Sequence, residues 1–162
     1  MDSQLYTHLQ TGIGILEIEA NDEALTAVGF LFEDPPKEIS STPLLDEAKS
    51  QFKAYFNNRL QKFDLPMHWN GTDFQKSVWK KLMDIPFGRT TSYGALAAQL
   101  GDPKTVRAVG SANGKNPLAI IVPCHRVIGS SGQLVGYAGG LHRKKWLLQF
   151  EAQQLSGQAS LF

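Results

Sequence analysis

The chain has 162 residues, of which 42% are hydrophobic and 19% charged, a composition typical of a soluble globular protein and not of a disordered one. No run approaches the ~18 apolar residues that span a membrane, and the first residues lack a basic segment followed by an apolar one, so we expect a cytoplasmic protein without a membrane contact. The single cysteine excludes an internal disulfide and a zinc site of several thiolates, and the four histidines lack metal-ligand spacing. We therefore expect no metal and no cofactor.

The two halves of the chain carry opposite net charges. Residues 1–70 contain 5 Lys/Arg and 11 Asp/Glu, a net charge of −6, whereas residues 71–162 contain 11 and 4, a net charge of +7. An excess of positive charge favours binding of a polyanion, such as nucleic acid, by the second half. Attraction between two oppositely charged domains explains the same asymmetry equally well.

The first 70 residues predict a small α/β domain. Two alternating segments, 13–19 and 25–32, flank a polar turn and predict a β-hairpin. Pro43 predicts the start of a helix that continues to about Phe63, with apolar residues at helical spacing on its buried face. Residues 65–70 have no periodicity and lie where the net charge changes sign, so we expect a domain boundary there.

The second half opens with three predicted helices. Thr72 and Gln75 have the spacing of a capping box, which predicts the start of the first. Ser92 is placed to cap a second helix over residues 93–100, and a third follows over residues 105–114 after a glycine-containing turn. Two short helices joined by such a turn form a helix-turn-helix pattern, which is typical of DNA-binding proteins.

The third of these helices consists mainly of small residues. Arg107 is its one long polar side chain, and Ala108, Gly110, Ser111 and Ala112 follow. A helix that reads the major groove usually carries several long polar side chains, whereas a narrow helix suits close approach to a widened minor groove. Tight packing against another helix explains the small residues equally well.

A candidate nucleophile follows the apolar segment 118–122, which has the length and branching of a buried strand that Pro123 ends. Cys124 comes next and precedes His125 and Arg126, so an imidazole and a cation lie beside the thiol and favour its thiolate. A lone cysteine is more often an inert apolar residue, but these neighbours favour the reactive interpretation.

The last predicted helix, residues 141–153, follows a glycine-rich hairpin or loop over residues 128–140. We expect its basic residues to point outward; they are Arg143, Lys144 and Lys145. Glu151 lies near the predicted end of the helix, where a carboxylate opposes the helix dipole, so we expect it to pair with His125. The His125–Glu151 pair can accept the thiol proton of Cys124. Because Cys124 and His125 are adjacent in the chain, their side chains do not easily touch, so we expect a water molecule to bridge them.

These residues together resemble the O6-alkylguanine-DNA alkyltransferase family of DNA repair proteins. The resemblance covers residues 72–153 and is most specific at Pro-Cys-His-Arg-Val, residues 123–127; the first 70 residues resemble the family's amino-terminal domain only in pattern. It implies an α/β (α+β) fold in which a ribonuclease-H-like domain, residues 1–68, precedes a mainly helical winged helix-turn-helix domain, residues 72–155. Residues 156–162 are then a flexible tail.

The resemblance implies irreversible transfer of an alkyl group from O6-alkylguanine, and from O4-alkylthymine, in DNA to Cys124. His125 and Glu151 form the water-linked proton relay, and Arg107 fills the gap that a flipped nucleotide leaves. Asn116 joins the recognition helix to the cysteine segment. The remaining implied catalytic residues are Tyr93 and Lys144; the pocket residues are Val127, Tyr137 and Ala138; and the DNA-contact residues, in the minor groove of a duplex, are Ser92, Tyr93, Thr105, Arg107, Ala108, Ser111 and Ala112.

Three other classes of protein remain open. A Cys-His thiol hydrolase would turn over and would not need Arg107 or a narrow helix. A non-catalytic alkylation-damage sensor of the alkyltransferase-like class lacks the cysteine that is present here, and a helix-turn-helix regulator would leave Cys124 inert and prefer one DNA sequence. We expect instead a monomer that binds DNA with weak sequence preference and strong salt dependence.

The last five residues, Gln158 to Phe162, resemble the Gln-Leu-Ser-Leu-Phe peptide with which bacterial proteins dock on the replication sliding clamp. Ala159 stands where leucine is usual. An exposed Leu161 and Phe162 on a polar tail suit an apolar groove on a partner. A frayed terminus without a partner explains the same residues.

Overall fold

The computed structural model describes residues 4–33 and 39–160, with side chains as far as residue 155. The chain divides into two compact units, residues 1–70 and 71–162. Within the described residues, no helix combines the length and apolar character needed to cross a lipid bilayer.

The first unit contains a three-stranded antiparallel sheet. Its strands are β1 (Leu5–Thr11), β2 (Gly14–Ala20) and β3 (Leu25–Phe30), in that order. The predicted hairpin is confirmed as β2 and β3, although β3 ends at Phe30 and not at residue 32. Strand β1 was not predicted, because the buried Thr7 interrupts the apolar alternation of its inward face.

Helix α1 (Pro43–Phe56) packs against β1 and β2. Its predicted start is confirmed, since Thr42 Oγ1 accepts a hydrogen bond from the Leu45 amide at 3.1 Å. The predicted end at Phe63 is wrong: the helix stops at Phe56, and Asn58 takes a left-handed conformation with φ 58°. Asparagine tolerates that conformation and ends helices there. The Phe63 ring nevertheless contacts that of Phe52, with centroids 4.7 Å apart.

The second unit is mainly helical. Its elements are α2 (Asp73–Leu82), β4 (Thr91–Ser92), α3 (Tyr93–Gln99), α4 (Val106–Gly114), β5 (Val127–Ile128) and α5 (Leu141–Ser160). The capping box before α2 is confirmed, with Thr72 and Gln75 joined by reciprocal bonds of 2.9 and 3.1 Å. Ser92 Oγ caps α3 as expected, accepting from the Ala95 amide at 3.0 Å.

Helices α3 and α4 form the predicted helix-turn-helix and pack on each other. Gly101, with φ 106°, ends the first helix, and a 3₁₀ turn over Pro103–Thr105 leads into the second. The α4 helix also packs on α2, where the Trp79 indole donates to the Ala112 carbonyl at 2.8 Å. The inner face of α4 consists of Val109, Ala112 and Asn113, all buried.

The segment before the cysteine is not the predicted strand. Ile121 donates to the Ala119 carbonyl at 2.8 Å and Val122 to the Leu118 carbonyl at 3.0 Å, and Ile120 has φ 73°. These bonds describe tight turns, because a strand would send its amides to a neighbouring chain segment. The apolar run therefore reflects burial alone. Cys124 then begins a 3₁₀ turn over Cys124–Arg126, which leads into β5.

Helix α5 corrects two predictions about the carboxyl end. It continues to Ser160, whereas the sequence analysis predicted an end at residue 153, so the backbone of residues 156–160 is helical. Gln154, Leu155, Gln158 and Ala159 are good helix formers, and no proline interrupts residues 154–160. Glu151 consequently lies within the helix and not near its end. Residues 161–162 of the predicted clamp-binding peptide lie outside the described residues.

Candidate active site

Cys124 is held by two asparagine side chains. Asn116 follows α4, and its amide donates to the Val122 carbonyl at 2.7 Å while its oxygen accepts from the Leu118 amide at 3.0 Å, which stabilises the turn before the cysteine. Asn113, on α4, donates to the Cys124 carbonyl at 3.3 Å. These bonds connect the residue that follows α4 with the segment before Cys124; the role of Asn116 in the reaction stays a prediction. Asn113 was missed by the sequence analysis.

The thiol of Cys124 is protonated in the resting protein. The residue is only 6% exposed, and burial raises the pKa of its thiol, since a thiolate loses its hydration there. The Asn116 amide and the charge of Lys144 lower the same pKa, but burial outweighs them. The thiol therefore needs a base when it reacts.

A buried cluster of His125, Glu151 and Arg126 lies next to the cysteine. Glu151 Oε2 lies 2.8 Å from His125 Nε2 and 3.0 Å from an Arg126 terminal nitrogen, while Oε1 accepts from Arg126 Nε at 2.8 Å. Another Arg126 nitrogen donates to the Ile85 carbonyl at 2.7 Å. The three side chains are at most 7% exposed, so these hydrogen bonds take the place of the hydration that the charged groups lose on burial.

The electrostatics of this cluster determine the proton positions. Burial alone would raise the pKa of Glu151, but His125 and Arg126 outweigh it and hold that pKa well below its usual value. Burial lowers the pKa of His125 despite the opposing effect of Glu151, so His125 is neutral at neutral pH and Arg126 carries the positive charge. Because Glu151 can only accept, His125 Nε2 bears the proton and Nδ1 keeps its lone pair. Nδ1 is buried and has no hydrogen-bond partner among the described residues.

A cavity of about 400 Å³ opens beside the cysteine segment. It is lined by Tyr93, Val106, Gly110, Asn113, Gly114, Val135, Gly136, Tyr137 and Ala138. Burial, and secondarily a negative charge at Cys124, raises the pKa values of Tyr93 and Tyr137. Asn113, another residue of the wall, donates to the Cys124 carbonyl at 3.3 Å, so the cavity lies beside the cysteine segment.

Lys144 corrects the prediction that the basic residues of α5 point outward. It is fully buried, and its ammonium donates to the Val135 carbonyl at 2.8 Å, the Gly136 carbonyl at 3.2 Å and the Tyr93 hydroxyl at 3.3 Å. Arg143 is also buried, whereas Lys145 is exposed. Burial lowers the pKa of Lys144 to about 8, so at neutral pH the side chain is still mainly an ammonium. Lys144 thereby fixes the loop that forms one wall of the cavity.

The other predicted site residues differ in whether they are exposed, buried or part of the cavity wall. Arg107, Ala108 and Ser111 are exposed on the outer face of α4, as a DNA contact requires. Ala112 is 2% exposed and packs inward, which argues against a contact between its side chain and DNA. Thr105 Oγ1 donates to the Asp102 carbonyl at 2.6 Å and helps form the turn. Val127 is fully buried outside the cavity lining, whereas Tyr137 and Ala138 line the cavity.

Two family models match this architecture. The model of the 6-O-methylguanine DNA methyltransferase ribonuclease-like domain matches residues 4–68, and that of the DNA binding domain matches residues 73–153. The chain belongs to this family. The resemblance inferred from residues 123–127 and the predicted α/β fold class are thereby confirmed.

Individual methyltransferases of the family are similar to this chain over most of their length. A methylated-DNA–protein-cysteine methyltransferase of Methanosarcina barkeri is 45% identical over 155 residues, 93% of this chain and 98% of that one. The crystal structure of Mycobacterium tuberculosis O6-methylguanine methyltransferase superposes with a TM-score of 0.85 at 43% identity, covering 94% of both chains. A structure of the same organism's protein in complex with DNA superposes with a TM-score of 0.83 at 45% identity, covering 92% of this chain and 93% of that one.

Arg126 is the main residue of this methyltransferase site that sequence analysis missed. It was considered only as a cation beside the thiol, whereas in the structure it forms two hydrogen bonds to Glu151 and its guanidinium lies 5.7 Å from the Phe87 ring centroid. A signal was present: an arginine within a buried apolar stretch requires an acidic partner, and Glu151 is the one acid in residues 103–162.

Proposed function

We propose that this protein repairs DNA by transferring an alkyl group from O6 of guanine, or O4 of thymine, to the sulfur of Cys124. The observation that carries the proposal is a protonated Cys124 thiol, followed in the chain by a neutral histidine that Glu151 and Arg126 hold in place. Asn113 bonds the backbone of that cysteine and lines a cavity of about 400 Å³. That volume suits a small ligand such as a flipped base. Membership of the methyltransferase family and the similarity to a relative solved with DNA support the choice of substrate.

The mechanism begins with extrusion of the alkylated nucleotide, because a base stacked in a duplex hides its O6. A poorly paired, alkylated base leaves the stack at lower cost than a normal one. In this proposal Arg107, which is exposed on the outer face of α4, fills the gap from the minor groove. The net charge of +7 in the second half supplies attraction for phosphates, and a monomer suffices for every step.

Proton transfer then activates the nucleophile. The lone pair on His125 Nδ1 accepts the Cys124 proton through a bridging water, and Glu151 and Arg126 stabilise the imidazolium that forms. The thiolate attacks the alkyl carbon, so a C–S bond forms, the C–O6 bond breaks and its electron pair passes to guanine. In this proposal guanine takes up one proton from the Tyr93 hydroxyl, to which the Lys144 ammonium donates at 3.3 Å.

Each molecule reacts once under this proposal. The product is a thioether on Cys124, which water does not cleave at neutral pH. No second cysteine exists in the chain to accept the group. The protein is therefore consumed in equal number to the lesions that it repairs.

A labelled-methyl transfer assay tests the proposal. The protein is incubated with a duplex that carries one radiolabelled O6-methylguanine, and the label per protein molecule is measured for the wild type and for Cys124→Ser. We expect a plateau near one label per wild-type molecule and none in the variant. Binding of the damaged duplex without transfer would instead identify a damage sensor or regulator in which Cys124 is structural.

We also propose that the carboxyl terminus, Gln158 to Phe162, docks on a replication sliding clamp. Support comes from the resemblance to the clamp-binding peptide and from its apolar last pair. Deleting Leu161 and Phe162 should abolish clamp affinity, measured by calorimetry, without changing methyl transfer, and Gln153→Ala is a control within the same helix. Equal clamp affinity with and without the last two residues would rule the contact out.

A further inference from the structure

Two buried polar atoms on the residues of the cavity wall have no hydrogen-bond partner among the described residues. One is Asn113 Oδ1, on a side chain that is 4% exposed, and the other is the hydroxyl oxygen of Tyr137. Both residues line the cavity of about 400 Å³ beside Cys124. A buried acceptor or hydroxyl without a partner is costly, so such a pair on one wall indicates that something else completes their hydrogen bonding.

The chemistry of the two atoms specifies what that group is. The Asn113 amide nitrogen donates to the Cys124 carbonyl at 3.3 Å, so its oxygen is the end left over, and it can only accept. Burial raises the pKa of Tyr137 far above its usual value, so the phenol keeps its proton and can donate. The two atoms do not bond each other. A hydroxyl, which both donates and accepts, is the smallest carbon-borne group that complements both.

The position of Asn113 indicates which part of the substrate supplies this hydroxyl. The Asn113 amide donates to the backbone carbonyl of Cys124, the residue whose sulfur attacks the substrate. In the reactive complex the transferred carbon touches that sulfur, so the next atom of the alkyl chain lies in the same part of the cavity. Tyr137 lines the same cavity as Asn113, so its hydroxyl belongs to the same region.

We propose that the cavity favours O6-alkylguanines whose alkyl group carries a hydroxyl one carbon beyond the transferred carbon, with Asn113 and Tyr137 as the specificity-determining residues. The 2-hydroxyethyl group is the smallest member of this class. The inference rests on the proposed alkyl transfer to Cys124 and names a substrate class for that same site.

The test compares two adducts of equal length. Duplexes carrying O6-(2-hydroxyethyl)guanine, O6-propylguanine or O6-methylguanine at one position react with excess protein, and the single-turnover rate constant of each is measured. Hydroxyethyl and propyl differ only by a hydroxyl in place of a methyl group. We expect the wild type to transfer hydroxyethyl about tenfold faster than propyl, the size of one buried hydrogen bond.

Three variants make the comparison specific. Tyr137→Phe removes only the hydroxyl, and Asn113→Leu replaces the amide by an apolar group of similar volume; each should reduce the hydroxyethyl-to-propyl ratio severalfold. Val106→Ala changes the cavity without changing its polar atoms and should leave the ratio unaltered. Should Asn113→Leu fold poorly, the ratio for Tyr137→Phe decides by itself.

The other possible results show whether the substrate class or the proposed function itself is wrong. A wild-type ratio near one, or a ratio that neither polar variant lowers, overturns the inference. Equal slowing of all three adducts in the polar variants also overturns it, because the two atoms would then serve the guanine or the cysteine backbone. Absence of methyl transfer in the wild type contradicts the proposed function itself, whereas methyl transfer with an unselective ratio contradicts only the substrate class.

Discussion

Replacing Glu151 by glutamine is expected to slow alkyl transfer by about 10²- to 10⁴-fold, the range for loss of a positioned base or of its correct tautomer. Arg126 only donates, so the glutamine oxygen must stay on Arg126 and the amide nitrogen must face His125 Nε2. Nε2 then has to accept, which moves the imidazole proton to Nδ1. The lone pair that takes up the Cys124 proton is thereby lost.

The pH dependence separates this loss of a base from general damage to the fold. The pKa of His125 lies below 6.5, so the wild-type rate should be level above about pH 6.5 and fall at lower pH as Nδ1 becomes protonated. The Glu151→Gln rate should instead rise with pH, because the raised pKa of Cys124 leaves thiolate formation to the solvent. Single-turnover methyl transfer from pH 5.5 to 9 measures both profiles.

Asp84→Asn is the matched control for that experiment, since it removes an acidic charge at a side chain that is 73% exposed in the same unit. Its rate and pH profile should equal those of the wild type. A Glu151→Gln rate within threefold of the wild type, with an unchanged profile, would mean that His125 is not the base. Circular dichroism at the assay temperature verifies that the variant is folded.

Local signals predicted those elements of the fold whose ends are set by neighbouring residues. Thr72 with Gln75, and Ser92 ahead of Tyr93, satisfy helix amides within one turn, so their spacing alone locates α2 and α3. The end of α1 depends on Asn58 adopting a left-handed conformation, which composition permits but does not require. Helix starts were therefore predicted more accurately than helix ends.

The errors at the site have one cause, which is that burial and partners are properties of the folded chain. The residues of 118–122 are apolar because they are buried, and that pattern is shared by a strand and by the tight turns that the structure has. Lys144 and Arg143 were expected on the surface because charged residues usually are, yet carbonyls of the loop from Val135 to Gly139 accept from both. Asn113 gave no signal of its own, since its partner is a backbone carbonyl.

Replacing Arg126 by methionine is expected to lower the free energy of unfolding by about 3–5 kcal/mol, because it leaves the Glu151 carboxylate buried with only a neutral histidine beside it. The effect should be measured by urea denaturation at pH 7. The double variant Arg126→Met, Glu151→Leu removes both charges and should recover most of the loss, since an apolar pair of similar volume often replaces a buried ion pair without cost.

The pH dependence of this stability has a sign that the cluster determines. His125 and Glu151 both have pKa values below the ordinary 6.5 and 4.5, so as pH falls the unfolded chain binds protons before the folded one does. Wild-type stability should therefore be complete above about pH 6.5, decline below it, and decline further below about pH 4.5. The double variant should lose the second decline but keep the first. If Arg126→Met alone costs no stability, or if the double variant is no more stable than it, the guanidinium does not neutralise Glu151, and the tautomer assigned to His125 loses its basis.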